Sequence, residues 1–192
     1  MAGHDEEIEG QVVEQELDPE RETRRRFALA QIRQYPDAAL KMQARPVETF
    51  DDELVKLAER MKELMHDASG IGLAATQVGV LQRLFVFQAD EEGEAAAIVN
   101  PEIVERSDET EVADEGCLSI QGVTVPVERA VAVTIVGKDE HGNDVRYELE
   151  DYFARCVQHE VDHLDGVLMI DRTTPEGRRD ALAVLRPRIV LT

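Results

Sequence analysis

The spacing of apolar residues predicts a long amphipathic helix in the first third of the chain. After Thr49 or Asp51, either of which can cap a helix N-terminus, apolar side chains recur every three or four residues. The stripe consists of Leu54, Leu57, Met61, Leu64, Met65 and Ala68. One face of this helix is therefore expected to pack on a core, and the helix is predicted to end near Ser69-Gly70.

Strand-like segments follow, with the β-branched and aromatic composition typical of sheets. They are Leu84–Phe87, Ala97–Val99, Val131–Val136 and Val145–Leu149. His141-Gly142-Asn143 predicts a hairpin turn before the last of them. An earlier apolar segment, Phe27–Ile32, fits a helix and a strand equally well.

Two more helices are predicted near the C-terminus. One spans about Tyr152 to Leu164 and ends before Gly166, and another begins at Thr174-Pro175 and ends before Pro187. The strands are clustered between long helices instead of alternating with them. This order favours an α+β fold, in which mostly antiparallel β-sheets pack around a central helix, with an N-terminal and a C-terminal helix.

Composition and charge narrow the class of protein. Hydrophobic residues make up 43% of the 192 residues and charged ones 32%, which is typical of one globular domain with short appendages. The net charge of −20 argues against a general DNA-binding or anionic-membrane surface. The longest apolar runs, such as Ala95–Val99, are far shorter than the roughly 18 residues of a spanning helix. Two cysteines and an acidic, signal-free N-terminus favour a cytoplasmic protein.

The distribution of charge suggests three parts. Residues 1–22 contain nine acidic side chains and one basic one, so residues 1–25 are expected to form a mobile acidic tail. The catalytic domain is placed at 26–170. A C-terminal helical extension, 171–192, contains five arginines and two acidic residues from Arg172 onward.

The most informative motif is His-Glu-x-x-His in the helix predicted over Tyr152–Leu164. Residues four apart share a helical face, so His159 and His163 can bind one metal ion while Glu160 serves as general base to a water molecule. Alternatively, such a short match arises by chance and the histidines are ordinary polar residues of the helix.

A hydrolytic metal site of this kind needs a third ligand, and no histidine follows His163. Cys117 is the candidate, since a thiolate is a strong ligand and the neighbouring Gly116 would permit an unusual backbone near the metal. The alternative is that Cys117 is a small buried apolar residue, which is the role expected for Cys156.

A third segment, Gly70–Gln77, combines two glycines with an amide donor. Gly70 and Gly72 allow a close approach of the backbone to a ligand, and Gln77 can donate a hydrogen bond. The alternative is a plain loop with a buried glutamine.

These three segments together resemble the signature motifs of bacterial peptide deformylases. The quoted segments are Gly70-Ile71-Gly72-Leu73-Ala74-Ala75-Thr76-Gln77, Glu115-Gly116-Cys117-Leu118-Ser119 and Gln158-His159-Glu160-Val161-Asp162-His163. They occur in the family's order, and the resemblance covers about residues 30–170. It implies a metal-dependent hydrolase that removes the formyl group from N-formylmethionyl nascent peptides and releases formate.

The resemblance also implies roles for single residues. Cys117, His159 and His163 would be the metal ligands, with Fe2+ favoured over Zn2+, Ni2+ or Co2+ as the ion. Glu160 would be the base, and Gln77 and the Leu118 N–H would bind the developing oxyanion. Ile71, Gly72 and Gly116 would contact the peptide substrate. The sequence departs from many members at Gln121 and Thr124, which concerns side-chain preference and not the chemistry.

Several expectations about partners and alternatives accompany the resemblance. The basic C-terminal segment could contact ribosomal RNA, or its arginines could simply solvate an exposed helix face. A monomer is expected. A zinc endopeptidase or aminopeptidase would share the histidine motif but lack the cysteine segment. A catalytically silent metal-binding protein would normally use four protein ligands.

Glu115 and Arg129 form a further hypothesis. Glu115 lies two residues before Cys117, and Arg129 lies just before the strand predicted at Val131–Val136. A carboxylate near a metal loop needs a partner, and a bidentate guanidinium is well suited to it. The pair is predicted to lie within about 4 Å.

Overall fold

The computed structural model describes residues 18–89 and 93–185, and it has the predicted α+β architecture. Most of the predicted acidic tail lies outside the described residues, as do Arg186 and Arg188. The helices are α1 (Pro19–Leu29), α2 (Asp52–Asp67), α3 (Asp151–Leu164), α4 (Met169–Arg172) and α5 (Pro175–Leu185). The strands are β1 (Gly72–Ala74), β2 (Leu84–Gln88), β3 (Ala95–Arg106), β4 (Thr110–Cys117), β5 (Ile120–Ala130), β6 (Ala132–Lys138) and β7 (Asp144–Glu150).

Helices α2, α3 and α5 begin and end close to their predicted limits. Asp51, and not Thr49, caps α2, because its Oδ1 accepts hydrogen bonds from the backbone N–H groups of Glu53 and Leu54 at 3.1 Å. At α5, the Thr174 hydroxyl accepts a hydrogen bond from Gly177 N–H at 3.1 Å. Both caps satisfy amides that the helix itself leaves without acceptors.

Both predicted domain boundaries fall inside helices. Helix α1 starts at Pro19, so residues 19–25 of the expected tail are helical. It ends at Leu29, so the first half of the ambiguous segment Phe27–Ile32 is helical and the rest is a turn. The boundary at 170 lies within α4. A change in charge composition does not end a helix, whereas burial of Ala28 holds α1 on the domain.

The strands form two antiparallel sheets. The larger sheet has the order β1-β2-β3-β6-β7, and the smaller is the hairpin β4-β5. All neighbouring strands within them run antiparallel, as predicted. Gly142, with φ 88°, lies in the predicted turn between β6 and β7.

Helices α2 and α3 cover opposite faces of the larger sheet. Alternate residues of β2 separate into two cores, with Leu84 and Val86 facing α2 and Phe85 and Phe87 facing α3. Burial on both faces explains why this strand is a continuous apolar run. A third core joins the hairpin β4-β5 to the C-terminal helices α4 and α5. Helix α3 packs on the larger sheet, and its Arg155 and Gln158 side chains form hydrogen bonds with the β5 backbone, so it lies between the two sheets, at the centre of the fold, as expected.

The hairpin β4-β5 was absent from the prediction, although part of its signal is present in the sequence. Val123, Val125 and Val127 are buried and alternate with exposed residues, which is the period-two pattern of a half-buried strand. Strand β4 carries no such pattern, because Val112 is exposed and its one buried residue, Glu115, is charged. Arg129 consequently lies within β5 and not in a loop before a strand.

Among residues 18–89 and 93–185, no helix is both long and apolar enough to cross a bilayer.

Candidate metal centre

Helix α3 presents the His-Glu-x-x-His motif to the inside of a cleft. His159 and His163 are one helical turn apart, and their ring centroids are separated by 4.8 Å. His163 is fully buried beneath the cleft. The predicted convergence of the two imidazoles on one side of the helix is therefore present.

Cys117 reaches the same place from the smaller sheet. It ends β4, and a two-residue connection, Leu118-Ser119, leads back to Ile120 in β5. The Cys117 Sγ lies 3.3 Å from His163 Nε2. One ligand atom from each of Cys117, His159 and His163 lies within 4.8 Å of the other two. Residues far apart in sequence thus form a compact donor set.

The chemistry of this donor set fits a divalent transition metal. One thiolate and two imidazoles suit zinc, iron, nickel or cobalt, and three protein ligands leave room for water and substrate. His159 Nδ1 lies 3.0 Å from Glu115 Oε2, and because a carboxylate only accepts, Nδ1 is the donor and Nε2 remains for a metal. Burial lowers the pKa of His163 well below its usual value, which favours the neutral ligand form.

Glu160 lies beside the three donors in a nearly dry environment. The side chain is buried, and Oε2 has no hydrogen-bond partner among the described residues. Burial raises the pKa of Glu160 to about 7, although the charge of Arg129 opposes this shift. A carboxyl group with a pKa near neutrality can both accept and return a proton.

Gly72 makes room for Glu160. A Cβ on Gly72 would overlap Glu160 Oε1 and would lie 2.8 Å from its Cδ and 2.9 Å from Cys156 Sγ. No side chain tolerates such contacts without displacement. The glycine is therefore required because the carboxylate packs directly on the β1 backbone.

We expect Gly72→Ala to slow any hydrolysis that depends on Glu160 by at least about tenfold, since a 1 Å misplacement of a reacting group can cost about 10²-fold. The added methyl group must displace the Glu160 carboxylate. Metal content should stay unchanged, because Cys117, His159 and His163 do not contact the new atom. Steady-state kinetics with metal analysis of the same sample checks this, and wild-type turnover would show that the carboxylate can move aside.

Gln77 is held with its amide group facing the centre. Its Oε1 accepts a hydrogen bond from Ala74 N–H at 2.8 Å, which directs Nε2 towards Ser119 Oγ at 3.1 Å and Cys117 Sγ at 3.7 Å. Gln77 is buried, as one alternative for this segment supposed, but it lies in a 3₁₀ turn directly after a short strand and not in a plain loop.

Leu118 is fixed by contacts on two sides. Its carbonyl accepts hydrogen bonds from Gln34 Nε2 at 2.9 Å and Gln121 Nε2 at 2.7 Å. A Cβ on Gly70 would come within 2.7 Å of Leu118 Cδ1, so this side chain packs on the Gly70 backbone. These contacts restrain the Leu118 side chain and the peptide group that follows it, and so limit the movement of the residue next to Cys117.

The Glu115–Arg129 pair is present and belongs to a larger buried network. Arg129 Nε and Nη2 donate to the two Glu115 oxygens at 2.9 and 3.0 Å, which confirms the predicted bidentate contact. Arg129 Nη1 donates to Asp162 at 2.6 Å, and Asp162 also accepts from Arg172. Arg155 adds a bond to Glu115 at 3.0 Å.

This network fixes the charge of Glu115. Burial would raise the pKa of Glu115, but hydrogen bonds from His159 and Arg129 outweigh it and lower the pKa to about 2. Sequence reasoning missed Asp162, Arg155 and Arg172. Only Asp162, inside the histidine motif, gave a signal that could have identified it.

The centre opens into a cleft of about 490 Å³, within the usual size range of ligand sites. Ile71, Gly72 and Gly116 line it, together with part of β5. The expected special backbone at Gly116 is wrong: its φ is not positive, and a Cβ would meet only Thr124 Cγ2 at 3.9 Å. Cys156 packs in the core with Sγ 3.4 Å from Ile71 O, as predicted.

Comparisons with a family model and with curated proteins point to the same family. Residues 29–179 match the model of the polypeptide deformylase family. Peptide deformylase of Acidothermus cellulolyticus is 46% identical over 160 residues, which are 83% of this chain and 87% of that protein. The corresponding protein of a Thermotoga strain, RQ2, is 48% identical over 147 residues, 77% of this chain and 88% of that protein.

Solved structures show the same likeness. The crystal structure of peptide deformylase from Thermotoga maritima is 48% identical, has a TM-score of 0.72, and covers 75% of this chain and 97% of its own. The structure of the Ehrlichia chaffeensis enzyme in complex with actinonin is 34% identical, with a TM-score of 0.76 and coverage of 80% and 94%.

Proposed function

The chain belongs to the polypeptide deformylase family, and from this premise we propose how its residues carry out the family's reaction. It is a metal-dependent hydrolase that removes the N-terminal formyl group from formylmethionyl nascent peptides and releases formate. The observation that supports this most directly is the donor set of Cys117, His159 and His163 beside the buried Glu160. The cysteine ligand separates this site from those of zinc endopeptidases and aminopeptidases.

Cys117, His159 and His163 are assigned as the metal ligands. A divalent ion held by these three residues would supply Lewis-acid activation of water and polarisation of the formyl oxygen. Glu115 accepts from His159 Nδ1–H and so holds the ring in the orientation that leaves Nε2 for coordination. We propose Fe2+ as the native ion, although the donor set suits Zn2+ equally well, and metal analysis of anaerobically purified protein decides between them.

Glu160 is assigned as the group that transfers the proton from water to the leaving amine. Its Oε2, without a partner among the described residues, accepts the proton of the attacking water. The same carboxyl group then returns the proton to the amine that leaves when the C–N bond breaks. Its pKa of about 7 suits both steps near neutral pH.

Gln77 and Leu118 are assigned as the donors to the developing oxyanion. Because Ala74 N–H occupies Gln77 Oε1, the Nε2 group must face the centre and can exchange Ser119 Oγ for the substrate oxygen. The Leu118 N–H belongs to the Cys117–Leu118 peptide group. Leu118 itself is restrained on the other side, by the two hydrogen bonds to its carbonyl and by packing of its side chain on Gly70. Donors positioned in advance of the reaction stabilise charge without reorganisation.

The peptide substrate is proposed to pair with the outer edge of β1. Within the described residues β1 has one strand neighbour, β2. Gln88 N–H donates to Ile71 C=O, so strand alternation directs the backbone groups of Gly72 to the other edge, where the cleft lies. An extended peptide can add to that edge, with Gly116 on the opposite wall.

Formate release from formyl-Met-Ala-Ser tests the proposed function directly. Metal-loaded protein should release one formate per free N-terminus formed. Unformylated Met-Ala-Ser serves as the matched control and should remain intact. Hydrolysis of the control peptide with no formate from the formylated one would instead identify a peptidase.

We expect Cys117→Ser to lose bound metal or change its metal preference, because a hydroxyl is a poor replacement for a thiolate. Cys156→Ser is the matched control, since this thiol is buried and contacts the Ile71 carbonyl. Metal content after anaerobic dialysis should fall by at least about tenfold in the first variant, in line with the loss of a ligand. Equal retention by both variants would remove Cys117 from the ligand set.

We also propose that the C-terminal segment contacts the ribosome, although most of its described arginines are already paired within the protein. Arg172 is bound to Asp162, and Arg178 donates to Asp171 and to the Ile170 carbonyl. Arg179 is exposed, with Glu176 at 3.8 Å. These internal pairs support a structural role for Arg172 and Arg178. Among the described arginines of α5, Arg179 is therefore the one suited to bind RNA.

Charge reversal at Arg179 and Arg186 should weaken co-sedimentation with ribosomes at low salt, since each lost phosphate contact reduces electrostatic affinity. Turnover of short formyl peptides should remain unchanged. Arg146→Glu combined with Lys56→Glu, on exposed β7 and α2, is the control, because it changes the net charge by the same amount. Equal sedimentation of all three proteins would favour the alternative in which the arginines only solvate the helix.

The remaining expectations follow from the proposed reaction. We propose a cytoplasmic location, because the substrate is a nascent chain and the Cys117 ligand must stay reduced. A catalytic unit over about 26–170, followed by a helical extension, is proposed. The family match over 29–179 supports the catalytic unit but continues into α5. A monomer is proposed, and light scattering of the metal-loaded protein tests it.

A further inference from the structure

Arg25 in helix α1 borders the cleft that leads to the metal centre. It lines the cleft together with Ser69 and Gly70, which precede β1. Helix α1 lies almost entirely before the family match, which begins at residue 29. The reaction as derived above assigns no task to this helix.

The packing of α1 explains why Arg25 is held at this place. Leu29 follows four residues later, on the same helical face, and packs in the core that also contains Leu118. Ala28 is buried in the same core. The face that carries Arg25 therefore continues directly from the packed face of the helix, and Arg25 itself is half-buried.

The charge of Arg25 is available to a ligand. In the described ranges 18–89 and 93–185, no partner forms an ion pair or a hydrogen bond with the Arg25 side chain. The other arginine of the cleft, Arg155, is engaged by Glu115 and by the carbonyls of Val127 and Glu111. A half-buried guanidinium beside an open cleft is well placed to bind an anionic group by a charge-assisted hydrogen bond.

The path of the substrate leads towards this charge. The formyl end must lie near Glu160, which packs on Gly72. A peptide paired with the edge of β1 extends from there along the strand, at about 3.3 Å per residue, between Gly70 and the β5 residues of the opposite wall. The part of the peptide beyond methionine thus enters the portion of the cleft that Arg25 borders.

We propose that Arg25 binds a carboxylate of the substrate, in the part of the peptide that follows methionine. This carboxylate is either an acidic side chain or the C-terminal group of a short peptide, and Arg25 makes the enzyme favour substrates that carry one. The inference rests on the proposed deformylase function and adds a specificity-determining residue to it.

Deformylation of matched peptides tests the proposal with metal-loaded full-length protein. The first pair is formyl-Met-Ala-Glu amide against formyl-Met-Ala-Gln amide, which isolates an acidic side chain. The second pair is formyl-Met-Ala-Ser against its C-terminal amide, which isolates the terminal carboxylate. Wild type should favour the acidic member of at least one pair in kcat/KM by about fivefold, as expected of a partly exposed ion pair.

Arg25→Gln should bring that ratio to about one by raising KM for the acidic peptide while kcat stays constant. Arg24→Gln is the matched control, because Arg24 is the exposed neighbour on the same helix and does not line the cleft. Its ratio should equal that of wild type. If both variants lost the preference for the acidic peptide, the preference would come from the long-range electrostatic field of α1, and a direct contact with Arg25 would be refuted.

Reversing the charge of Arg25 provides a more stringent test. Arg25→Glu should favour formyl-Met-Ala-Lys amide over the glutamate peptide, a preference that a structural defect cannot create. An acidic preference unchanged by Arg25→Gln, or absent from wild type in both pairs, overturns the inference while formate release still supports the proposed function. Absence of formate from all peptides would instead refute the function itself.

Discussion

Replacing Glu160 with glutamine is expected to abolish most turnover while leaving the metal in place. The amide cannot accept a proton from water, and general base catalysis contributes about 10² to 10⁴-fold to such rates. The three ligand residues are untouched, and glutamine has nearly the same size as glutamate. Steady-state formate release and metal analysis on one preparation measure both quantities.

Glu63→Gln is the control for this prediction, because Glu63 is exposed on α2, away from the cleft. It should keep wild-type turnover and metal content. A Glu160→Gln variant with more than a tenth of the wild-type rate would remove Glu160 from the role of base. Loss of metal in that variant would show that the carboxylate also holds the centre together.

Replacing Arg129 with methionine is expected to cost about 3 kcal/mol of unfolding free energy. Removing one partner of a buried ion pair typically costs 3–5 kcal/mol, because the remaining charge is left without compensation. The lower end applies here, since Glu115 retains Arg155 and Asp162 retains Arg172. Urea unfolding of the metal-loaded protein measures this change, with the metal content of each sample determined.

Arg146→Met is the matched control for stability. Its guanidinium pairs with Glu148 at 3.3 Å on the exposed surface of β7, where such a pair contributes about 0–1 kcal/mol. A comparable loss in both variants would show that the buried network is no more important than a surface pair. A selective loss at Arg129 would establish that the buried network stabilises the folded protein more than a surface pair does.

Much of the secondary structure could be predicted because the buried face of a helix or strand appears in the sequence as regularly spaced apolar residues. Helices α2 and α3 and strand β2 are long or strongly apolar, so their burial is visible as period and composition. Strand β4 leaves no such record, since its pairing with β5 depends on backbone hydrogen bonds that polar residues also make. Short β1 is defined by its partner β2 in the same way.

The sequence by itself determined the donor types and the reaction class. His159 and His163 must share a face of any helix that contains them, and Cys117 and Gln77 stand in segments whose resemblance to a family is specific. The spacing also suggested the partnership of Glu115 and Arg129, which the structure places at 2.9 and 3.0 Å.

Only the tertiary structure decided how these groups work together. The raised pKa of Glu160 depends on burial against Gly72, and the availability of Arg25 depends on the packing of α1 beside the cleft. The engagement of Arg172 by Asp162 depends on the position of α4. Burial, desolvation and distance are properties of contacts between distant segments, and a local sequence pattern carries no information about which segments will meet.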